Sequence, residues 1–226
     1  MIILIIIAII SFLATIIFRH ISDSKALISM AIGCAINANI YNSNNMPISW
    51  HGLVFGIDSI LYTLFICTII YKAIDYTVEE AWDMTISTII AIIISSFIEL
   101  FANWSYQGLD QAEIVRFLGY IFSALGTYLG VKIMFIYYRA YVKRHSSKDS
   151  PHGFLKNLIC MLICISLASL INSLIYFYGN SIATFKFTHF ITPNLLASFI
   201  GKLFSSLLGL AAYIINAKYL KANYKN

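Results

Sequence analysis

Two ionisable side chains, Asp58 and Lys202, interrupt apolar stretches of this sequence and are the residues best suited to chemistry. Asp58 lies in the run Leu53–Lys72, which is about twenty residues long and at about 1.5 Å per residue reaches across a hydrocarbon core of about 30 Å. A charge at that depth costs about 2.5–3.5 kcal/mol on insertion scales, so it is rare and usually functional. The pair indicates either a polar binding pocket or an ion pair that holds helices together.

Other polar side chains fall at a similar depth when residues are counted from each outer helix end. Asp58 lies about five residues in, Glu99 about four, Asn172 about seven and Lys202 about eight. We predict a pocket open to the outside, with Asp58 and Lys202 at its floor. Its polar residues come from five apolar runs: Asn37, Asn39, Asp58, Glu99, Asn172 and Lys202.

Each of these residues also has a purely structural interpretation. Glu99 is close enough to the boundary to contact lipid headgroups, and the asparagines could join neighbouring helices by hydrogen bonds. Asp58 and Lys202 could be only a structural ion pair. Lys132, seven residues before Arg139, is expected to snorkel toward the inner interface along its aliphatic stem.

The composition excludes an ordinary soluble domain. Of 226 residues, 60% are hydrophobic and only 11% charged, whereas about a quarter are charged in soluble proteins. All four cysteines lie inside apolar runs without zinc-finger or redox spacing, which is typical of small core residues. The apolar N-terminus has no basic region or small-residue cleavage site, so we expect a retained first span.

Seven apolar runs predict an all-α membrane helix bundle that forms a single domain over residues 1–226. Thr77-x-x-Glu80 predicts a helix start by a capping box, and Thr192-Pro193 predicts another with proline at the first position. The runs are Ile2–Phe18, Ala26–Tyr41, Leu53–Lys72, Met84–Asn103, Phe117–Arg139, Leu155–Tyr178 and Asn194–Ala217.

The basic residues orient this bundle with its N-terminus outside and its C-terminus inside. In that orientation eleven lysines and arginines lie on the inner side and only two, Arg116 and Lys186, on the outer side. An excess of this kind is the positive-inside bias of membrane proteins.

Small residues indicate where helices approach each other closely. In the fifth run they include Gly126 and Gly130, and in the seventh Gly201 and Gly209. Both sets follow one helical face, so we predict that the fifth and seventh helices pack together.

The sequence lacks the common catalytic motifs, so it predicts a protein that is not an enzyme. Glu79-Glu80 resembles the opening of a membrane-protease motif, but the arginine that the motif needs does not follow. Nucleophile-elbow, zincin and phosphate-loop patterns are not present. All five histidines fall in predicted connections, so we expect no metal, no cofactor and no nucleic-acid partner.

Two families share parts of this pattern. An aspartate in the third helix and a lysine in the seventh resemble the microbial rhodopsins, but the three tryptophans sit at span ends rather than around a retinal. A better match is the vitamin uptake transporter family, which includes queuosine-precursor transporters and is similar to the substrate-binding subunits of energy-coupling-factor importers. Val54-Phe55-Gly56-Ile57-Asp58 resembles its aromatic-rich approach to an intramembrane aspartate, and Gly201-Lys202 its lysine in the last helix.

This resemblance implies uptake of a small, flat nitrogen heterocycle such as a 7-deazaguanine. A carboxylate accepts paired N–H donors from such an edge, and Phe55 and Tyr62 could stack on the ring. The family commonly has an acid one turn after the aspartate and then Tyr-Gly, where this chain reads Leu61-Tyr62-Thr63-Leu64. The departure affects the expected substrate more than the expected fold.

The sequence thus predicts a membrane transporter or substrate-binding subunit, in a bacterial cell membrane, that imports a small polar nutrient. The expected partners are the lipid bilayer, a small-molecule substrate, and an energy-coupling membrane subunit or further copies of the chain. The alternative is a non-catalytic sensor or assembly scaffold whose buried polar groups are structural.

The charge bias makes the topology testable. A cysteine placed at Ser43 should react with a membrane-impermeant maleimide added from outside, and one placed at Ser147 should not, because the two positions fall on opposite sides of the membrane. Labelling of intact cells followed by a mass shift on gels measures this. The reverse labelling pattern would invert the orientation.

Overall fold

The computed structural model describes residues 32–36, 47–50, 53–75, 77–108, 110–144, 151–183 and 193–215. From Pro47 onward its elements are a short hairpin followed by five helices. The strands are β1 (Pro47–Trp50) and β2 (Leu53–Gly56). The helices are α1 (Ile57–Asp75), α2 (Val78–Gln107), α3 (Gln111–Arg144), α4 (Pro151–Ala183) and α5 (Pro193–Ile215). They correspond to the third to seventh apolar runs.

Local sequence signals set the helix ends. The Thr77 side chain accepts a hydrogen bond from the Glu80 amide at 3.1 Å and caps α2, which confirms the predicted start. Asp110 caps α3 in the same way through the Glu113 amide, at 2.8 Å. Gly108 ends α2 at a φ of 81°, a backbone conformation that residues with a Cβ rarely adopt. Proline begins α5, as predicted.

The start of the third run differs from its prediction as a continuous helix. Residues Leu53–Gly56 form β2, which pairs antiparallel with β1 in the register Pro47↔Gly56 to Trp50↔Leu53, so α1 begins only at Ile57. Three apolar residues between Gly52 and Gly56 do not distinguish strand from helix by periodicity. A two-residue connection containing Gly52 favours the hairpin. The predicted polar loop before Leu53 therefore contributes a strand.

Helix α1 is the centre of the bundle. Every residue from Leu61 to Ala73 is buried, including the wholly buried Phe65 and Tyr71. The helix contacts α2, α4 and α5, while β2 packs on α5. A helix that is apolar around its whole circumference can be packed on every side by neighbouring helices. Residues 32–36 are helical, and Ala35 joins the same core.

The outer surface of the bundle is apolar, as expected for an integral membrane protein. Helices within Val78–Tyr106, Gln111–Lys143 and Lys156–Ala183 are long and apolar enough to cross a bilayer, and Leu61–Ile74 is a shorter apolar helix. Large side chains on α2 such as Ile94, Ile98 and Phe101 are more than half exposed, while Thr85, Thr88 and Ser96 on the same helix are buried. A face of that kind is stable against lipid rather than water.

The glycine stripe of the fifth run packs against the sixth run, not against the seventh as predicted. A Cβ on Gly130 would lie 2.7 Å from the carbonyl oxygen of Ala168, and one on Gly126 would lie 3.0 Å from the Cα of Asn172. The packed seam is therefore α3 on α4, while α5 packs on α1 and α4. Small residues show that a backbone comes close, but they do not identify which one.

Ion pairs close the end of the bundle opposite the hairpin. Lys72, only 1% exposed, pairs with Glu80 across the α1–α2 connection, and Arg139 of α3 pairs with Glu79 at 2.6 Å. The two glutamates that resemble a protease motif thus bind basic residues of neighbouring helices. Glu79 and Glu80 are adjacent on α2, but each pairs with a basic residue of a different helix. The two ion pairs therefore join α1, α2 and α3.

The α3–α4 seam predicts a strong effect of enlarging Gly130. Gly130→Leu should lower the stability by about 1–3 kcal/mol or more, because its Cβ meets the Ala168 backbone, which cannot move aside as a side chain would. The apparent melting temperature in detergent measures the effect. Ala140→Leu is a matched control on an exposed face of the same helix. Equal melting temperatures for the two variants would contradict the seam.

Candidate functional site

The candidate site is built around the buried ammonium group of Lys202 on α5. The residue is 4% exposed, and its Nζ donates hydrogen bonds to Asn172 Oδ1 at 2.9 Å and to Ser173 Oγ at 2.8 Å, both on α4. Charge-assisted bonds of this length are among the stronger ones in proteins. They are needed here because a buried charge without polar partners is very costly.

Asn172 links this ammonium to α3. Its Nδ2 donates to the Ser123 carbonyl at 3.1 Å and to Thr127 Oγ1 at 3.2 Å, so the amide oxygen is left to face Lys202. Gly126 lies between these two partners in sequence, and its missing side chain lets α4 approach closely enough for both bonds. The close approach of α3 and α4 at Gly126 therefore fixes the orientation of the Asn172 side-chain amide.

Tyr62 covers the ammonium from α1. The Nζ of Lys202 lies 4.6 Å from the centroid of the Tyr62 ring, within the range of a cation–π interaction. Tyr62 is 8% exposed, and its buried hydroxyl lies beside the Thr127 side chain of α3. We call Tyr62, Thr127, Asn172, Ser173 and Lys202 the Lys202 cluster.

Hydroxyl groups also hold the backbone of α5 in place. Thr63 Oγ1 donates to the Lys202 carbonyl at 3.3 Å, and Ser206 Oγ donates to the same carbonyl at 2.7 Å. Thr63 follows Tyr62 on α1, so two consecutive residues contact the lysine. Thr63 binds its main-chain carbonyl, and the ring of Tyr62 covers its side-chain ammonium. The position of the ammonium relative to α1 is set at both points.

One buried hydroxyl on α4, Ser169 Oγ, lacks a hydrogen-bond partner in the described part of the chain. It lies one helical turn before Ser173 on α4. A buried polar group left unpaired costs about 1–3 kcal/mol, so native proteins keep few of them. The cluster therefore offers a cation and an aromatic face, and Ser169 adds an unpaired hydroxyl on the helix that carries Ser173. This set can bind the acceptor atoms and the flat ring of a small polar molecule.

Four other predicted site residues lie at or before the start of α1. Asn37 and Asn39 lie outside the described residues. Phe55 is in β2, opposite Ile48. Asp58 is the second residue of α1, one helical turn before Tyr62, and the description there is limited to the backbone. The structure thus brings together Lys202, Asn172 and Tyr62, while the outward opening of the pocket stays a prediction.

Glu99 belongs to a different polar group, at the far ends of α2 and α3. Its carboxylate accepts a hydrogen bond from the Tyr120 hydroxyl at 3.0 Å and lies 3.9 Å from Arg116, which pairs with Glu113 at 3.0 Å. Asn103 completes the group by donating to Glu113 at 2.9 Å. Its partners are those of a residue at the edge of the membrane, the structural alternative given above for Glu99.

Lys132 is exposed on α3, and its ammonium lies 5.8 Å from the centroid of the Tyr128 ring. Tyr128 precedes it by one turn, so the side chain is directed toward the N-terminal end of α3 rather than toward the inner interface. This is the usual lean of side chains on a helix. The expected snorkelling toward the inner interface stays a prediction, and in this conformation the side chain leans the other way along α3.

Sequence reasoning missed the hydroxyl members of the cluster. Ser173 adjoins Asn172 and Thr127 lies one residue after Gly126, yet serine and threonine are common in membrane helices and usually bond to their own backbone. Ser206 and Thr68 do that here, each to the carbonyl four residues earlier. The one available signal was proximity to Asn172, at the depth already counted for Lys202. Among the described residues there is no group of three histidine, cysteine, aspartate or glutamate side chains placed to hold a metal ion.

No protein-family model, no curated protein sequence and no solved structure matches this chain.

The cluster predicts that Asn172 stabilises the fold through the buried charge. Asn172→Leu should lower stability by about 3 kcal/mol, since it leaves the ammonium without one acceptor and removes the bonds to α3. Asn157→Leu is the matched control on α4, because that side chain is exposed and makes one long hydrogen bond of 3.4 Å. Thermal unfolding in detergent measures both, and an Asn172 variant as stable as the control would contradict the role.

Proposed function

We propose that this protein is a membrane transporter, or the substrate-binding subunit of one, that imports a small polar nutrient. The observation that carries the proposal is the buried Lys202 ammonium, set 4.6 Å from the Tyr62 ring, with the hydroxyl of Ser169, unpaired among the described residues, on the helix that also supplies Asn172 and Ser173. Around a lysine with a purely structural role, we would expect every buried polar group to be hydrogen-bonded within the protein. A site that releases its ligand keeps donors available for that ligand.

We further propose seven spans with the N-terminus outside and the C-terminus inside. The basic bias of eleven to two supports this orientation. The Lys72–Glu80 and Arg139–Glu79 pairs support it as well, since they cluster charge at the end of the bundle that this topology places inside. The Lys202 cluster then lies on the outer side of these pairs, where an imported molecule would arrive.

The substrate class that fits is a flat, purine-like heterocycle, such as a queuosine precursor or a vitamin. Lys202 would donate to a carbonyl or ring-nitrogen acceptor, and Asp58, one turn before Tyr62, would accept paired N–H groups. Phe55 and Tyr62 would cover the ring. Asn37 and Asn39 would complete the polar wall from the second run. The resemblance to vitamin uptake transporters through Asp58 and Gly201-Lys202 supports the same class.

A second candidate function is a membrane sensor or assembly scaffold without transport. One observation favours it: the ammonium already has two protein acceptors, Asn172 and Ser173, besides an aromatic face. A lysine with these partners needs no ligand, and fixing the rotation of the helices can be its whole role. The two candidates differ in whether a ligand competes for those donors.

Ligand binding separates the two candidates. Purified protein should be screened against purine-like metabolites by thermal shift, and we expect at least one to raise the melting temperature. Lys202→Met should lose that shift, whereas Lys156→Met, an exposed lysine at the other end of α4, should keep it. Uptake of the same compound into proteoliposomes, with and without a proton gradient, then identifies the energy source.

A double variant tests the charge pair itself. If Asp58 and Lys202 only neutralise each other, Asp58→Asn should lower stability and the added change Lys202→Met should restore it, since neither charge is then left buried. If they bind substrate, the double variant should fold and take nothing up. A stable double variant with normal uptake would overturn the proposal.

A further inference from the structure

Two exposed charges of opposite sign lie level with each other on the α2–α3 face: Asp83 and Lys132. Both side chains are exposed, and neither makes an ion pair with any residue in the described part of the chain. Nearer the end of the bundle, by four residues on α2 and by seven on α3, Glu79 and Arg139 on the same two helices do pair, at 2.6 Å. Among the described residues, Asp83 and Lys132 therefore have no partner of opposite charge, although the Lys132 ammonium lies 5.8 Å from the Tyr128 ring.

Ring packing fixes their common level. Trp82 of α2 lies between two rings of α3, with centroids 5.3 Å from Tyr128 and 6.1 Å from Phe135. Position 83 therefore lies opposite the middle of the stretch 128–135, which is where Lys132 stands. The Glu79–Arg139 pair shows that α2 and α3 run antiparallel with this register.

Helical spacing places both charges on one outward face. Asp83 is four residues from Glu79, and Lys132 is seven from Arg139, so each shares a helix face with a member of the observed pair. The same face also carries exposed apolar side chains. On α2 these are Ile90 and Ile94, and on α3 they are Leu125 and Ile136. The face is thus an apolar surface with one acid and one base at equal height.

We propose that this face binds a second copy of the chain, with Asp83 of each copy paired to Lys132 of the other. Two copies inserted in the same direction are related by a two-fold axis along the membrane normal, which keeps every residue at its own depth. That axis sets α2 of one copy opposite α3 of the other. Because Asp83 and Lys132 stand at the same level, both pairs then form at once, and the apolar residues beside them meet across the interface.

Charge complementarity argues for a second copy over lipid alone as the occupant. An anionic headgroup would neutralise Lys132 but would be repelled by Asp83 and gains nothing from the carboxylate. A self-complementary contact satisfies both groups and withdraws both from the lipid boundary, where unpaired charges are unfavourable. This inference is independent of whether the protein transports anything.

Charge reversal tests the pairing directly. Asp83→Lys alone and Lys132→Asp alone each place like charges opposite each other, so co-purification of two differently tagged copies should fall at least about tenfold. When the two single variants are expressed together, one copy carries two positive charges and the other two negative charges. Association between them should then recover to within about twofold of the wild-type level.

The controls separate assembly from folding. The double variant Asp83→Lys with Lys132→Asp should self-associate again, and all variants should keep the wild-type melting temperature to within a few degrees. Lys156→Glu, an exposed charge on α4, should leave association unchanged. A monomeric wild-type protein in lipid nanodiscs would overturn the proposal. The proposal would also be overturned if association did not recover when the two single variants are expressed together. It would be overturned as well if the only defect of the single variants were lost binding to phosphatidylglycerol vesicles.

Discussion

One buried charge sets the rotation of four helices. The Lys202 ammonium has its acceptors on α4, its aromatic cover on α1 and its own backbone on α5, while Asn172 carries the link onward to Ser123 and Thr127 of α3. In a low-dielectric interior each of these contacts is costly to lose. Turning any of the four helices by one residue would remove at least one of them, so the cluster selects a single packing among many apolar ones.

The apolar residues by themselves would not make that selection. Hydrophobic attraction between helices is weak in lipid, because lipid tails are as apolar as leucine, and association depends on close packing and hydrogen bonds. The α3–α4 seam supplies the packing through Gly126 and Gly130, and the same seam positions Asn172. Packing and polar bonding are therefore one feature here: the close approach that glycine permits is what brings the Asn172 amide within reach of the Ser123 carbonyl.

Sequence reasoning succeeded where the physics is local or depends only on depth. The Thr77 cap and the Pro193 start follow from a few neighbouring residues, and counting along helices placed Asn172 and Lys202 at matching levels. It failed where two solutions fit the same pattern. Leu53–Gly56 reads equally as the start of a helix or as a strand, and Gly126 with Gly130 could have faced either α4 or α5. Tyr62 was assigned to a substrate ring, whereas its ring also covers the ammonium, a contact that needs the rotation of α1 to be known.

The two ends of α1 are mechanically joined. Tyr62 and Thr63 hold Lys202, and Lys72, nine residues beyond Thr63 and so about 14 Å along the axis, holds Glu80. The residues between them are buried on all sides, so α1 has no free face into which it could bend. A dense core transmits displacement rather than absorbing it. The contacts of Tyr62 with the ammonium and the Lys72–Glu80 pair are thus fixed to one buried helix, whose packing on every side sets both of their positions.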